Sequence, residues 1–462
     1  MFAALSCGCA NQQSYAPKPL GSQQTAARFH ARDIDEPALR QFMLERGYSD
    51  SAWPPAQWGL SELTLAALYF HPEINVARAH WNSARAAVLT AARRDVPGLE
   101  LVPEFHSRTD GGLSPWSLGL VIDFRIVRAG KRAARVEQAT LSAEAARLDI
   151  GAAAWQVRSR LRSRLVDYQA AQSQVTLATR EIETRSEITR LLEHRLALGA
   201  IANADMAPAR VLEQEARFRG AQAQMRLDAA LPALADALGL PLQKIAGFKI
   251  SFEQWEQLPA AASLDAAVLE GAALTNRLNI RQALLRYSAT EAALELEIHK
   301  QYPDIQLRPG YAWDQGDKRW ALGVGFSLPL PGSNAGPIGE ARLARESEQE
   351  KFVALQAAVI GEVAQVWSVY RGSLQQLQKT RDLNAGQARQ YQLARLRFAK
   401  GQADHLEVAT AQAELLLGER QHLEALTALQ NAWGRLEDAL ERPLDQSQQL
   451  RIPDHDPRRS AH

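Results

Sequence analysis

The chain repeats itself. Ile74, Ala77, Trp81, Ala87, Pro97, Leu99, Leu101 and Pro103 have counterparts 206 positions later, at Ile280, Ala283, Tyr287, Ala293, Pro303, Ile305, Leu307 and Pro309. The offset then becomes 204, where Trp116, Leu118 and Gly119 match Trp320, Leu322 and Gly323. It settles at 202, where Val157, Leu165, Tyr168, Gly199, Leu238 and Pro241 match Val359, Trp367, Tyr370, Gly401, Leu440 and Pro443. The offset changes only where loops are expected. Two copies of one unit therefore occupy about 60–245 and 264–446, and whatever one copy forms the other must form too. Residues 1–59, 246–263 and 447–462 are left as an N-terminal signal remnant and linker, an inter-repeat linker and a C-terminal tail.

Each unit reads helix, strand, strand, very long helix, long helix. The first helices cover 61–95 and 264–300, the first interrupted by His71-Pro72, since proline cannot continue the ladder. In the segment 99–126, Leu99, Leu101, Pro103, Phe105 and then Trp116, Leu118, Leu120, Ile122, Phe124 and Ile126 alternate with small or charged residues. In 304–330, Ile305, Leu307, Pro309, Tyr311, Trp313 and then Trp320, Leu322, Val324, Phe326, Leu328 and Leu330 do the same. A period of two puts each set on its own face. Strands of this length suit a tilted membrane strand, with Trp116, Tyr311, Trp313 and Trp320 as interfacial aromatics. A soluble sheet with one wet face also alternates. Polar loops at Ser107–Pro115 and Gln315–Arg319 join the strands.

Helical hairpins follow over 133–238 and 338–440. From Ala133 to Leu198 no proline intervenes, a rod of roughly 100 Å. Val157, Leu161, Leu165, Tyr168 and Val175, and in the second copy Val359, Val363, Trp367, Tyr370, Leu374 and Leu377, give each a coiled-coil-like seam. Gly199 and Gly401 stop the long helices. Asn203 or Asp205 caps the return helix of the first copy, and Asp404 with Glu407 makes a capping-box start in the second.

Lys and Arg total 53 against 52 Asp and Glu, a balance unlike that of a dedicated nucleic-acid binder. No uninterrupted apolar run approaches the roughly 18 residues of a membrane-spanning helix, but alternating barrel strands escape that test. The two cysteines are Cys7 and Cys9. Small residues before them and a polar stretch after give the end of a lipoprotein signal, with Cys9 the first choice for acylation and Cys7 the second. A basic leader is missing and the apolar stretch is short, so the start lies upstream or the signal has been trimmed. A plain N-terminal tail with two incidental cysteines is the alternative.

This order and these lengths, with His71-Pro72-Glu73-Ile74, Ser114-Pro115-Trp116-Ser117-Leu118-Gly119, Ala129-Gly130-Lys131-Arg132 and Gly401-Gln402-Ala403-Asp404-His405-Leu406-Glu407 ahead of Ala411-Gln412, resemble the TolC-like outer-membrane efflux protein family (outer membrane factors). The first strand–helix junction most resembles its cation and heavy-metal efflux branch. The resemblance implies a mainly α fold with membrane β: a two-repeat protomer of a homotrimer, with one twelve-stranded β-barrel and a long helical tunnel in the periplasm. It also implies a periplasmic adaptor and an inner-membrane pump as partners, and a role in resistance. Four strands cannot close a barrel alone, so oligomerisation follows from physics as well.

On this reading Glu100, Glu104, Asp123, Arg125 and Arg308 line the barrel lumen and keep it wet; each reads equally as an ordinary exposed sheet residue. Gly199, Asn203, Asp205, Gly401, Asp404, His405 and Glu407 lie at the periplasmic tips. Threefold rings of Asp205, Asp404 and Glu407 would attract cations and gate the aperture; helix capping explains the same carboxylates equally well. His405, near a hairpin tip, is placed to touch exported cations, but reads better as a solvated helix-end histidine. The sequence has no nucleotide loop, no paired metal-binding histidines, no expected cofactor and no catalytic constellation, so an enzyme is not expected. The Gly323-Val324-Gly325 glycines read as a smooth lumen patch. The predicted function is a passive exit duct of a tripartite efflux system for small molecules or metal cations. The alternative is a periplasmic adaptor or structural coiled-coil protein, which would need compact β domains around a single hairpin.

Overall fold

The computed structural model describes residues 15–48, 53–109, 111–252, 265–326, 332 and 334–444. Cys7, Cys9, Leu328, Leu330 and the tail 447–462 lie outside the described residues.

The two copies are built alike. In the first, α3 (Leu60–Phe70) and α4 (Pro72–Ala92) lead to β1 (Gly98–Phe105) and β2 (Trp116–Ile126). Then come α5 (Ala129–Ala197), α6 (Asn203–Leu238) and the short α7 (Leu242–Ile245). In the second, α8 (Ala266–Asn276), α9 (Leu278–His299), β3 (Ile305–Asp314), β4 (Asp317–Phe326), α10 (Ala335–Ala399) and α11 (His405–Leu440) follow the same order. The return helices α6 and α11 are both 36 residues long and start 202 positions apart, as the sequence offset requires. Both end in a left-handed residue, Gly239 at φ 70° and Glu441 at φ 46°.

Two expectations need correction. The segment 264–300 is not one helix: it breaks at Arg277, as the first copy breaks at His71. Proline explains the first break. At the second, the Arg277 guanidinium donates to Glu362 and to the Ala439 carbonyl, while Leu278 N–H donates to the Glu441 carboxylate. These tertiary bonds hold an extended residue that the local sequence does not demand. The expected loop Gln315–Arg319 is a two-residue turn, Gln315-Gly316, with φ of 52° and 106°. Paired positive φ values match the right-handed strand twist, and Asp317, Lys318 and Arg319 belong to β4.

Residues before 60 also contribute structure. The helices α1 (Ser22–His30) and α2 (Pro37–Leu44) precede α3, and α2 buries Leu39, Phe42 and Met43 in the first copy's core. Lys244 on α7 pairs with Asp33 at 2.5 Å, and Arg32 donates to the Gly239 carbonyl. The core continues through Leu63, Phe70, Val157, Leu161, Leu234 and Leu238. The second copy has its own core around Val359, Val363, Tyr370, Leu429, Trp433 and Leu436.

The helices stand side by side in a fixed order. Helix α5 packs on α6 and α11, and α11 packs on α10. Nearer the sheet, α5 packs on α4 and α9, and α9 on α10. The α5–α11 seam is held by buried charge. Arg158, 2% exposed, donates to Glu437, 2% exposed, at 3.0 Å. Arg162 reaches the Gln430 carbonyl at 2.8 Å and stands 3.8 Å from Glu437. Gly434 leaves room for that guanidinium, since a Cβ there would lie 2.2 Å from it. Trp155 and Ser159 donate to Asp438. Replacing Glu437 by Ala would take from Arg158 and Arg162 the buried carboxylate they share, so we expect a loss of about 3–5 kcal/mol. It should appear as earlier loss of helical circular dichroism on heating in detergent; an unchanged melting curve would show that the lock contributes nothing to stability.

Candidate functional site

The four strands form one antiparallel sheet in the order β1-β2-β3-β4. Its register settles which side chains share a face. Leu101 lies opposite Leu120, Phe105 opposite Trp116, Leu120 opposite Tyr311, Leu307 opposite Val324 and Tyr311 opposite Trp320. The apolar sets of all four strands thus merge into one continuous surface. Among the described residues no element covers it: Leu101 is 60% exposed, Trp320 82% and Leu322 68%. A soluble sheet would bury this face against a core, and so much exposed apolar surface marks contact with another apolar phase. Aromatic rings gather toward the turns. Phe105 stacks edge-on against Trp116 at 5.0 Å, and Tyr311 tilts against Trp320 at 4.7 Å. Trp116 and Trp313 are near strand ends, whereas Trp320 is the fourth residue of β4 because that strand starts earlier than expected.

The opposite face carries Glu100, Glu104, Asp123, Arg125 and Arg308 together with Gly119, Gly310, Gly323 and Gly325. Three of its charges are paired, Asp123, Arg125 and Arg308. Arg308 donates to Asp123 at 3.1 Å. His106 lies 3.2 Å from Ser117 and 3.6 Å from Asp314, which also pairs with Arg319. At the foot of the sheet Arg125 bonds Asp304 at 3.2 Å, and Lys131 bonds the same carboxylate at 2.8 Å. Burial works against ionising Asp304, but these two cations outweigh it and hold its pKa below the ordinary value.

At the far ends of the hairpins, Gly199 and Gly401 adopt φ of 70° and 71°, the left-handed stop that a side chain would strain. Asn203 is not a cap: it is the first residue of α6, and Ala202 occupies the cap position. Asp205 reaches back instead, accepting from Ala202 N–H at 2.9 Å. Asp404 caps α11, accepting from Glu407 N–H at 2.9 Å. The Glu407 carboxylate does not complete a capping box; it pairs with Arg397 at 2.5 Å. Asp404 also pairs with Arg195 near the end of α5, so the two hairpins are tied together at their tips. His405 is exposed, its ring 4.5 Å from that of Phe398. Among the described residues no group of His, Cys, Asp and Glu could hold a metal ion. Sequence reasoning missed the Arg195–Asp404 tie and the Arg158–Glu437 lock, because neither pair shares an element or a spacing.

Comparison with known proteins places this geometry. A family model described as outer membrane efflux protein matches residues 65–240 and 269–441, one match per copy. The cobalt-zinc-cadmium resistance protein CzcC of Cupriavidus metallidurans is 26% identical over 302 residues, 64% of this chain and 70% of that protein. Among solved structures, the Vibrio cholerae outer membrane protein VceC is 20% identical with a TM-score of 0.67, covering 85% of this chain and 100% of that one. The open-state Neisseria gonorrhoeae MtrE outer membrane channel is 19% identical with a TM-score of 0.65, covering 83% and 89%.

The bond from Glu407 N–H, with Arg195 beside it, holds the Asp404 carboxyl below its ordinary pKa of 3.8. A depressed carboxylate stabilises the tip above its unfolded pKa and stops doing so as pH falls through the folded value. We therefore expect Asp404→Ala to speed amide hydrogen exchange over residues 402–410 at neutral pH, by an amount equivalent to about 1 kcal/mol of capping. The difference from the unsubstituted chain should vanish under strong acid. Equal exchange at neutral pH would remove the capping role.

Proposed function

Because this chain belongs to the outer membrane efflux protein family, we propose that three copies of it close one passive duct, the outer-membrane exit of a tripartite efflux system. A channel of that family works in the outer membrane and extends into the periplasm. What supports closure by identical copies is the pair of free edges. Strands β1 and β4 are the outer strands of the sheet, and unpaired strand edges are not tolerated in lipid. Three four-stranded sheets joined edge to edge make a twelve-stranded barrel.

The helices have matching edges. The ring order within one chain is α6, α5, α11, α10, so α6 and α10 are left to meet a neighbour. The α5–α11 seam serves as its template, with α10 in the place of α5 and α6 of the next copy in the place of α11. Arg180 on α5 bonds Glu419 on α11 at 2.7 Å. The repeat puts Asp382 at the position of Arg180 and Arg217 at that of Glu419, an ion pair of reversed polarity. Within one chain Arg217 turns back to Glu213. Leu191 packs on a small cluster containing Ala413; their counterparts Leu393 and Val211 are 52% and 56% exposed. An apolar stretch of α10 long enough to cross a membrane is only 17% buried, and this seam would cover part of it.

Two experiments test the assembly. Fractionation should find a heat-resistant trimer released from outer membranes only by detergent; a soluble monomer would sink the reading. Asp382→Arg and Arg217→Asp should each lower the temperature at which the trimer dissociates on unboiled gels, and the double exchange should restore it. Failure of the double exchange to rescue would reject this register while leaving the trimer standing.

The cargo is proposed from two features together. The CzcC relative is named for cobalt, zinc and cadmium resistance, and carboxylates stand at both ends of the path: Asp205, Asp404 and Glu407 at the tips, Glu100, Glu104 and Asp123 on the polar sheet face. Metal cations fit such a lining. Asp205→Asn with Asp404→Asn should reduce cation conductance and selectivity in planar bilayers; unaltered values would remove the tip carboxylates from that role. A periplasmic adaptor and an inner-membrane pump would complete the system, and acylation at Cys9, with Cys7 second, would tether the N-terminus to the membrane.

A further inference from the structure

Where the sheet meets the helices, a cavity of about 990 Å³ opens between the end of α4, the foot of β2 and the start of α5. Arginines crowd it: Arg93, Arg94, Arg125, Arg132 and Arg135, against the acidic Asp95 and Glu137. Charged residues in this chain are widely paired, and Arg125 is, with Asp304 and Asp95. The other four have no ion pair or side-chain hydrogen bond to any described residue, and the Arg135 Nε is shielded from solvent with no acceptor. The first turn of α5, which starts here, holds no acidic residue and its N-cap has no side-chain hydrogen bond. Guanidinium groups without an ion pair to any described residue, around one cavity and next to a helix N-terminus, suit an anion.

The other lining is apolar. Ile126, Val127, Val136 and Leu141 share the cavity with the arginines. Ile126 is the last residue of β2 and belongs to the exposed apolar face, so that face runs directly into the cavity. On the reading that this face lies in lipid, the cavity is at the level of the periplasmic headgroups. A ligand there has an anionic head and an apolar tail. The second copy lacks the cluster: α10 begins Ala335-Gly336-Pro337-Ile338-Gly339, with no arginine before Arg342. Among the described residues there is accordingly one such site per chain.

We propose that this cavity binds the phosphate of an anionic membrane lipid, the headgroup clamped by Arg93, Arg94, Arg132 and Arg135 and the acyl chains laid against Ile126. The proposal rests on the membrane reading of the sheet. Basic pockets at a membrane boundary select anionic headgroups in this way, and forked guanidinium groups suit phosphate oxygens better than lysines do.

Native mass spectrometry of the full chain in detergent tests it, with dioleoyl phosphatidylglycerol, dioleoyl phosphatidylcholine and inorganic phosphate as separate probes. The unsubstituted protein should retain one phosphatidylglycerol per chain. Arg132→Gln with Arg135→Gln should bind it about tenfold more weakly, as expected for loss of charge-assisted phosphate bonds. Arg132→Lys with Arg135→Lys, which keeps the charge, should fall between. Phosphatidylcholine should bind weakly and alike to all three. Equal phosphatidylglycerol retention by the unsubstituted and glutamine proteins would overturn the site. Inorganic phosphate binding as tightly as phosphatidylglycerol would overturn the lipid and leave a free anion as ligand. A protein that needs no detergent would instead overturn the membrane reading beneath it.

Discussion

A strand edge in hydrocarbon has no water to satisfy its amides, and the rest of this molecule is arranged around that constraint. The sheet has two such edges, β1 and β4, at opposite sides of a continuous apolar surface. Among the described residues of one chain no strand pairs with them. The helices below repeat the situation in another form: α6 and α10 end the row, each with apolar side chains left in the open. Sheet and helices thus ask for the same partner in the same place, and an identical copy supplies both edges at once.

Duplication gave the two halves one plan, and divergence made their seams different. Inside the chain, α5 meets α11 through Arg158, Arg162 and Glu437, buried and mutually dependent. At the positions 202 residues away stand Ile360, Ala364 and Ala235, which need no matching charge. A buried ion pair adds little net stability over an apolar contact but heavily penalises a wrong partner. The chain therefore marks its own seam with a lock that an intermolecular pairing of α5 with α6 would leave unsatisfied.

Much of this was legible in the sequence, for definite reasons. The strands could be read because lipid on one side and water on the other keep every odd position apolar from Leu99 to Phe105 and from Ile305 to Trp313. The long helices could be read because neither contains a proline between its first turn and the glycine that stops it. What escaped depended on distant atoms. Nothing near Arg277 announces a break; Glu362, Ala439 and Glu441 impose it. Asp317-Lys318-Arg319 looks like a loop because it is charged, yet it is a strand extending past the aromatic belt into water. Asn203 looks like a cap, but the helix starts one residue earlier and Asp205 supplies the acceptor. The basic cavity escaped because its arginines come from three elements and only folding brings them together.

The two strand connections differ sharply in length, ten residues between β1 and β2 and two between β3 and β4. Both lie at the end of the sheet away from the helices, the end a cell would present to its surroundings. A long surface loop accepts substitution and insertion, whereas a two-residue turn with paired positive φ accepts almost none. In an assembly of three, the outward rim would alternate between variable and invariant corners. Antibodies or phages meeting that rim would exert selection on one connection and scarcely touch the other, so lineages could change their outward appearance while the duct behind it stayed the same.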